Sequence, residues 1–482
     1  MACFRCRLFS LMFAVCLIGF CGDFQVAQAE ALDERPNVVI ILVDDMGYGD
    51  PGCFNPESKI ATPHIDRLAA DGMRFTDMHA PGPLCHLSRY GLLTGQYPFR
   101  TDVTNWRKKP SIADGQLTLP RLLNDQGYST VMVGKWHLGF LEKGYDKPLH
   151  GGPVDCGFDQ YFGIRASTDI PPYFYIRGRD VVAPPTNHIE AKSSEGWSPI
   201  QGEFSRAGGI APGLELKDVL PKFTDEAVQV IENHQEADGP LFLYLAYPAP
   251  HTPWLPSAEF AGTSKAGMYG DFVTMTDAMV GKVVAALEGK GLAQDTLLIF
   301  TSDNGPVWFE HDVERFGHDA SGGLRGMKAD AWENGHRMPF IARWPGHVEA
   351  GSVSDQTLCF TDLLATMAAL LNVDLTEQEN LDSLDFSKVL TGDQPANVPV
   401  RENLAIASGN GTMTIRKGPW KLITALGSGG FSKPGRIKPE PGGPTGQLYH
   451  LGNDPGEERN LFSQKPDLVR QLNAELVKVR DR

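Results

Sequence analysis

The sequence predicts an α/β fold in which helices sandwich a large, mixed, mostly parallel sheet, with a smaller C-terminal α+β subdomain that contains a short antiparallel sheet. Three observations support this prediction. Four short runs are apolar on both faces, as central parallel strands are: residues 38–43, 130–133, 241–247 and 297–300. Segments with one apolar face and helical spacing separate these runs. After about residue 401, short strands replace long ones, which is typical of a small antiparallel sheet.

The composition limits the partners that the protein can have. The chain has 482 residues, a formal net charge of −15 and 41% hydrophobic residues. This length allows one large α/β domain and a smaller one. A strongly acidic chain is a poor match for nucleic acid, so we expect no nucleic-acid partner. An anionic substrate could bind only in a local basic pocket.

Residues 1–29 read as a secretory signal peptide. Arg5 and Arg7 precede an apolar run over residues 8–20, and residues 27–29 offer a small-x-small cleavage site. The apolar run is short for a transmembrane span. We therefore expect an exported protein, periplasmic or secreted, without stable insertion into a membrane.

Each of the four apolar runs ends in polar residues that could carry chemistry. In chain order these are Asp44 and Asp45, then Lys135 and His137, then His251, then Asp303 and Asn304. Carboxyl ends of parallel strands meet at one edge of a sheet, so the pattern predicts one shared site. Singly, each residue has a plainer explanation: turn chemistry or helix capping for an aspartate, a solvated lysine, or a structural histidine.

Helices are predicted between the strands. Thr62 and Pro63 form a good helix start, with a capping residue followed by proline at the first position. Residues 119–127 and 224–234 also read as helical. Residues 270–289 carry apolar side chains at steps of three and four, which indicates a helix that faces the sheet.

The stretch from about 140 to 220 is rich in loops and supports two interpretations. It could form a rim that stacks on sugars and contacts anions, or a long insertion packed on the surface. The aromatic and arginine residues at issue are Tyr161, Phe162, Tyr173, Phe174, Tyr175, Arg165, Arg177 and Arg179.

Cys85 opens a helix-like run after the proline-rich turn at residues 81–83. Backbone N–H groups at a helix N-terminus favour an anion, and Arg89 adds a fixed positive charge. The pattern therefore indicates a nucleophile at a helix start. The alternative is a small apolar cysteine that enters a packed helix. A thiolate–imidazole pair with His86 is disfavoured, because sequence neighbours on a turn rarely meet in that way.

The run from Cys85 to Gly95 resembles the sulfatase signature Cys-x-Pro-Ser-Arg-x-x-x-Leu-Thr-Gly. Further segments resemble other motifs of that family: Gly-Lys-x-His-Leu-Gly at 134–139, Pro-His-x-Pro at 250–253, and Arg-Gly-x-Lys…Trp-Glu-x-Gly at 325–335. The resemblance covers about residues 36–465. It implies a formylglycine-dependent, arylsulfatase-like type I sulfatase with an alkaline-phosphatase-like fold.

The resemblance also implies two cofactors. A separate maturation enzyme would oxidise Cys85 to formylglycine. The metal ligands would be Asp44, Asp45, Asp303 and Asn304, together with the modified Cys85. Protein ligands of this kind are all oxygen atoms, which suits Ca²⁺ before Mg²⁺ and disfavours zinc.

The remaining site residues take their roles from the same resemblance. One hydroxyl of the hydrated formylglycine would attack sulfur, with Asp303 polarising it. Arg89, Lys135 and Lys328 would offset charge on the transferring group. His251, with Lys328, would protonate the leaving oxygen, and His137 would deprotonate the second hydroxyl so that sulfate leaves. The substrate-binding set would be Lys135, His251, Lys328 and Ser167.

One position departs from the signature, because Leu87 stands where the family usually has proline or alanine. We expect a sulfuric ester hydrolase that acts on a sulfated carbohydrate or an aryl sulfate. One alternative is a phosphomonoester or phosphonate hydrolase of the same superfamily. Another is an unmatured, non-catalytic protein that binds sulfated glycans, because Leu87 lies in the segment that the maturation enzyme reads.

The predicted domain division falls near Gly346. Residues 36–345 form the catalytic domain, with a helix at 361–371 that packs on it, and residues 346–482 form the C-terminal subdomain. The predicted strands of its antiparallel sheet are 413–416, 421–423 and 447–449, with a loop over 427–446.

Overall fold

The computed structural model describes residues 35–378, 380–395 and 397–481. The predicted signal peptide, residues 1–29, lies outside this described part of the chain. Within it, no helix combines the length and apolar character that a membrane crossing requires.

The described chain contains ten α-helices and seventeen strands. The helices are α1 Pro63–Ala70, α2 Cys85–Thr94, α3 Leu119–Asp125, α4 Val219–Asn233, α5 Gly267–Lys290, α6 Glu310–Phe316, α7 Glu333–His336, α8 Asp362–Leu370, α9 Ser387–Leu390 and α10 Pro466–Arg480. The strands are β1 Asn37–Asp44, β2 Met73–His79, β3 Ser129–Lys135, β4 Gln160–Ile164, β5 Tyr175–Arg177, β6 Asp180–Val181, β7 Asn187–Ile189, β8 Gly208–Ile210, β9 Leu241–Pro250, β10 Thr296–Ser302, β11 Arg337–Arg343, β12 Ser352–Ser354, β13 Leu358–Cys359, β14 Asn403–Ala407, β15 Met413–Lys417, β16 Trp420–Ile423 and β17 Gln447–His450.

The large sheet has eleven strands in the order β12-β2-β11-β10-β1-β9-β3-β4-β5-β6, with β13 paired to β2. The central strands β10, β1, β9, β3 and β4 are parallel to one another. Strands β11, β5 and β6 pair antiparallel with their neighbours. The prediction of a mixed, mostly parallel sheet between helices is therefore confirmed.

All four predicted apolar runs are central strands of this sheet, and they correspond to β1, β3, β9 and β10. Every residue of β1, β9 and β10 is buried. Helices cover both faces of these strands, so neither face can be polar, which explains why the runs do not alternate.

Helix α1 begins at Pro63 as predicted, but its cap is different from the one expected. The Thr62 side chain makes no capping hydrogen bond. The Asp277 carboxylate, on α5, instead accepts hydrogen bonds from the backbone N–H groups of His64 and Ile65, with an N–O distance of 2.8 Å at Ile65. The free N–H groups of the first helical turn are thus satisfied by a neighbouring helix.

The small antiparallel sheet has the order β14-β15-β16-β17. Its core contains Ala405, Ile415, Leu422 and Leu448, packed against the apolar face of α10. Strands β15, β16 and β17 were predicted from the sequence, whereas β14 was not.

The domain boundary after residue 345 stays a prediction. Beyond it, β12 and β13 still pair with β2 in the large sheet. The α8 side chains Leu363, Leu364 and Met367 also belong to the main hydrophobic core.

Four aromatic residues between 140 and 220 pack inside the fold. Tyr161, Phe162, Tyr173 and Phe174 are buried, and the arginines are paired with acids: Arg165 with Glu142, Arg177 with Glu226, and Arg179 with Asp155. The four aromatic rings therefore belong to a packed insertion, and the interpretation as a sugar-stacking rim is wrong for them.

Candidate active site

The four strand ends converge on the N-terminus of α2, where Cys85 is the first helical residue. The Cys85 thiol donates a hydrogen bond to Asp44 Oδ1 at 3.2 Å. Lys328 Nζ lies 3.3 Å from the same sulfur. Asp44 belongs to β1 and Lys328 to a loop far along the chain, so tertiary packing alone brings these groups together.

Cys85 is 3% exposed, and its environment disfavours the thiolate. Burial raises the pKa of the Cys85 thiol well above its ordinary value, and the charges of Asp303 and Asp44 raise it further. The thiolate, not the thiol, is the nucleophilic form of cysteine. An unmodified Cys85 is therefore a poor nucleophile in this site.

His86 does not activate the cysteine. Its ring packs near His137, with centroids 5.7 Å apart. Burial, and then the charge of Lys135, lowers the pKa of His86 to about 4. A neutral imidazole cannot stabilise a thiolate as a cationic one would.

Carboxylate and amide oxygens gather beside Cys85. The backbone N–H of Asp45 donates to Asp303 Oδ1 at 3.3 Å, and Asn304 Nδ2 donates to Asp45 Oδ1 at 2.6 Å. Burial, and then the charge of Asp44, raises the pKa of Asp303 to about 6. The like charges of these acids are thus costly to hold together without a compensating cation.

One oxygen of this group lacks a partner. Asn304 Oδ1 is buried and accepts no hydrogen bond from any residue that the structure describes. Atoms of Asp44, Asp45, Cys85 and His251 also lie close enough to one another to share one ion. The donor set next to the strand ends is dominated by oxygen, which fits a hard divalent cation such as Ca²⁺ or Mg²⁺.

Three buried cations surround the acids. The Arg89 guanidinium donates two hydrogen bonds to Asp303 Oδ2, at 2.8 and 3.1 Å, and a third to the Lys135 carbonyl oxygen at 2.9 Å. The ammonium of Lys135 pairs with Asp44 Oδ2, and that of Lys328 pairs with Asp45 Oδ1. The three cations thus balance the charges of three carboxylates, and Lys328 is the one of them that lines the cavity.

The position of the His137 side chain does not follow from strand alternation, because the backbone is no longer extended at this residue. Strand β3 ends at Lys135, and His137 has a left-handed backbone with φ of 63°. Its backbone N–H donates to the carbonyl oxygen of Arg165 at 3.1 Å, and its ring packs edge-on against Trp106. Burial, and then Lys135, lowers the pKa of His137 well below its ordinary value, so the ring is neutral. Its Nδ1 has no partner within the described chain.

His251 lies on the turn after β9. Its Nδ1 donates to the carbonyl oxygen of Thr252 at 2.7 Å, which fixes the ring orientation and the tautomer. Its Nε2 is 3.6 Å from Asp45 Oδ2. The nitrogen that can exchange a proton therefore faces the acid cluster.

A cavity of about 180 Å³ opens over Cys85. Predicted residues that line it are Asp45, Cys85, His137, Ser167, His251 and Lys328, whereas Asp44, Arg89, Lys135, Asp303 and Asn304 lie buried beneath it. Sequence reasoning missed further lining residues: Asp169, Ile170, Phe204, Arg206 and Phe431. Asp169 lies only two residues after the predicted substrate-binding residue Ser167, so the sequence weakly indicated this segment. Nothing in the sequence pointed to Phe431.

Phe431 belongs to the loop over 427–446, which joins β16 to β17 of the small antiparallel sheet. The backbone N–H of Ala331 donates to the Ser428 carbonyl oxygen at 2.7 Å, and that of Ser432 donates to Asp330 Oδ1 at 3.1 Å. These bonds tie the loop to the segment that carries Lys328. The strand ends of the large sheet and a loop of the small sheet therefore both contribute to the cavity.

Comparisons with known proteins agree with this arrangement. The sequence profile of the family described as Sulfatase matches residues 36–373. The N-acetylgalactosamine-6-O-sulfatase of Bacteroides thetaiotaomicron is 33% identical, over 99% of this chain and 99% of its own. Human arylsulfatase A is 34% identical, over 91% of this chain and 85% of its own. A solved structure from work on the metabolism of multiple glycosaminoglycans by Bacteroides thetaiotaomicron aligns with a TM-score of 0.82 and 32% identity, over 93% of this chain and 100% of that one.

Proposed function

The chain belongs to the sulfatase family and is a sulfuric ester hydrolase, and from this premise we propose that it removes sulfate from a sulfated carbohydrate, using a formylglycine made from Cys85 and a bound Ca²⁺. One observation carries the proposal. The Cys85 side chain stands at the start of α2, in contact with both Asp44 and Lys328. A modified side chain at this point would meet the acids, the cations and the cavity at once.

Asp44, Asp45, Asp303 and Asn304 would hold the cation. The unpartnered Asn304 Oδ1 and the raised pKa of Asp303 support this assignment, because a cation would satisfy both. When bound, the cation offsets negative charge on the sulfate, and the formylglycine side chain supplies the oxygen nucleophile. Ca²⁺ is preferred because it accepts flexible, oxygen-rich coordination.

Arg89, Lys135 and Lys328 would offset the charge of the sulfate group during transfer. All three are buried, where an electrostatic interaction is stronger than in water. Arg89 acts by holding Asp303 in place, because its guanidinium is bonded to that carboxylate. Lys328 lines the cavity and can contact the substrate oxygen directly.

His251 and His137 have environments that suit two different proton transfers. His251 Nδ1 donates to the Thr252 carbonyl oxygen, so proton exchange is left to Nε2. The ring must carry a proton on both nitrogens before Nε2 can give one to the leaving alcohol oxygen. His137 is neutral and its Nδ1 is free among the described residues. It can therefore accept a proton from the group at position 85 when sulfate is released.

The substrate class follows from the relatives and from the cavity. The first relative above is named for a 6-O-sulfated N-acetylgalactosamine, so N-acetylgalactosamine 6-sulfate is the first sugar to test. The cavity wall combines aromatic residues with hydrogen-bonding groups, and sugars present both an apolar face and hydroxyls. An aryl sulfate would use the same sulfate-binding groups with fewer contacts.

We also propose that the chain is exported and that a maturation enzyme modifies Cys85. The sequence of residues 1–29 supports export. The match of the Cys85 segment to the family signature supports maturation, with Leu87 as the departure. In the structure Leu87 is buried in the main core, so its side chain is packed rather than exposed once the protein has folded.

The test combines mass spectrometry with turnover. The full chain is made in a host that has a formylglycine-generating enzyme, and the Cys85 peptide is weighed. We expect sulfur to be replaced by oxygen with the loss of two hydrogens. Purified protein is then assayed on 4-methylumbelliferyl sulfate, 4-methylumbelliferyl phosphate and a panel of sulfated monosaccharides, with Cys85→Ala as the control.

The outcomes separate the alternatives. Turnover of sulfate esters by the modified protein, absent in Cys85→Ala, supports the proposal. Faster turnover of the phosphate would instead identify a phosphomonoester hydrolase. An unmodified thiol, together with no turnover and with binding of sulfated glycans, would identify a non-catalytic binder.

A further inference from the structure

Asp169 and Arg206 form an ion pair in the cavity wall that the proposed sulfate chemistry does not use. Both residues line the cavity over Cys85. The Arg206 guanidinium donates to Asp169 Oδ2, and its backbone N–H donates to the Asp169 carbonyl oxygen at 3.2 Å. Two polar loops are thus locked together beside His251.

One oxygen of this pair has no donor. Asp169 is 4% exposed, and its Oδ1 accepts no hydrogen bond from any described residue. His251 Nδ1 lies 3.9 Å from this oxygen, which is too far for a hydrogen bond, and it is already bonded to the Thr252 carbonyl oxygen. A buried carboxylate oxygen without a donor is costly, so a donor supplied by a ligand is expected there.

Arg206 retains donors for the same ligand. Its side chain is 46% exposed, and only part of its guanidinium is used by Asp169. The guanidinium lies over the Phe204 ring, 4.9 Å from its centroid, which holds it against the wall. Acceptor and donor therefore stand side by side at one position.

Apolar surface faces this pair across the same cavity. Phe431 is 37% exposed although it is a large hydrophobic residue, and Ile170 and Phe204 also line the space. A pyranose has one apolar C–H face and a rim of hydroxyls. The wall matches that distribution, because aromatic faces cover C–H groups and the ion pair bonds to a hydroxyl.

We propose that Asp169 and Arg206 form a subsite that binds a hydroxyl of the sugar ring bearing the sulfate. The inference rests on the proposed function and specifies its substrate. Asp169 Oδ1 accepts a hydrogen bond from the hydroxyl, and Arg206 donates one to the hydroxyl oxygen. A second sulfate or a carboxylate next to Asp169 would be repelled. The preferred ligand is therefore a neutral pyranose at this position, and an aryl sulfate lacks the group that the pair binds.

The experiment compares two substrates in single variants of the matured enzyme. For wild type, Asp169→Ala and Arg206→Ala, kcat/KM is measured on N-acetylgalactosamine 6-sulfate and on 4-methylumbelliferyl sulfate. Because a hydrogen bond to a charged group is lost, we expect the ratio of sugar to aryl turnover to fall about 10- to 100-fold. Peptide mass confirms that Cys85 is modified equally in all preparations.

The chain offers a closely matched control pair. Arg177 lies over the Phe162 ring, 4.4 Å from its centroid, and donates to Glu226 at 2.6 Å. Glu226 lines a different cavity, with Ser129 at the first residue of β3. Arg177→Ala and Glu226→Ala should keep the wild-type ratio.

A second measurement identifies which hydroxyl of the sugar Asp169 binds. Monodeoxy analogues of the sugar sulfate are compared in wild type and Asp169→Ala. In the wild type, the analogue that lacks the bound hydroxyl should have a lower kcat/KM than the parent sugar. In Asp169→Ala, that analogue and the parent sugar should have equal kcat/KM values.

The outcomes are distinct. Equal losses on both substrates would mean that Asp169 only orients His251 and would overturn the subsite, while the proposed function would stand. An unchanged ratio, or a deoxy series with no such analogue, would also overturn it. Wild-type turnover of the aryl sulfate but of no sugar sulfate in the panel would overturn the carbohydrate substrate itself.

Discussion

Replacing Lys421 by methionine is expected to destabilise the fold strongly at pH 8 and less at lower pH. Lys421 is 1% exposed, and its Nζ lies 2.9 Å from Glu333 Oε1 and 3.0 Å from Glu457 Oε1. Glu333 begins α7 in the catalytic part of the chain, whereas Lys421 belongs to β16 in the small sheet. One buried ammonium therefore holds two buried carboxylates where the two sheets meet.

The size of the effect follows from the loss of this single cation. Removing one partner of a buried ion pair costs about 3–5 kcal/mol, because the other charge stays buried without compensation. For a chain of 482 residues the unfolding entropy is about 1 kcal/mol/K near 60 °C. We expect the melting temperature of Lys421→Met to fall by about 3–5 °C at pH 8.

The pH dependence has a definite sign. Burial raises the pKa of Glu457 to about 7 from an ordinary 4.5, although Lys421 lowers it and Glu333 raises it again. An acid whose pKa is raised by folding contributes stability that is lost as the pH rises through that pKa. Without Lys421 the pKa of Glu457 rises further, and the pKa of Glu333 loses the largest of the charges that lower it. Protonation below about pH 7 should therefore reduce the destabilisation of the variant.

The assay is equilibrium denaturation at pH 5.5, 7 and 8. Lys478→Met is the control, because Lys478 is exposed and pairs with Glu475 at 3.2 Å; it should cost about 0.5 kcal/mol or less. The double variant Lys421→Met with Glu457→Gln should recover part of the loss at pH 8. A loss under about 1 kcal/mol, or one that grows as the pH falls, would refute the reasoning.

Three further predictions concern the metal, the cavity and the small sheet. After chelation, Asn304→Ala should need about 10- to 100-fold more Ca²⁺ than wild type for half-maximal turnover, and an unchanged Ca²⁺ titration would remove Asn304 from the metal site. Phe431→Ala should raise KM for a sulfated sugar about threefold to tenfold through loss of an aromatic face, and steady-state kinetics with no change in KM would contradict the contact. Leu422→Ala, at a fully buried position, should cost about 2–5 kcal/mol in denaturation experiments. Val353→Ala, at an exposed position, should lower the free energy of unfolding by about 0.5 kcal/mol or less. Equal losses for Leu422→Ala and Val353→Ala would argue against the packing of the small sheet.

The sequence predicted the central strands because their environment is uniform. Strands β1, β3, β9 and β10 are covered on both faces, so their residues form continuous apolar runs that stand out. Strand β14 is also covered on both faces, with Ala405 in the core under α10 and Leu404 and Ile406 in another cluster. It was missed because a short apolar run without alternation does not distinguish a strand from a buried helical turn.

The capping of α1 and the left-handed backbone of His137 could not be predicted, because both depend on contacts between distant parts of the chain. Asp277 caps α1 from a helix more than 200 residues away, and no local pattern encodes such a contact. His137 needs a left-handed backbone, which is uncommon for a residue other than glycine and depends on the tertiary contacts that impose it.

The amino-acid sequence alone determined which residues stand at the strand ends. Parallel strands place their carboxyl ends at one edge of the sheet, so Asp44, Asp303 and the residues beside them had to meet. Only the tertiary structure decided what surrounds them. Asp169, Arg206 and Phe431 come from separate loops, and loop positions depend on long-range packing rather than on local spacing.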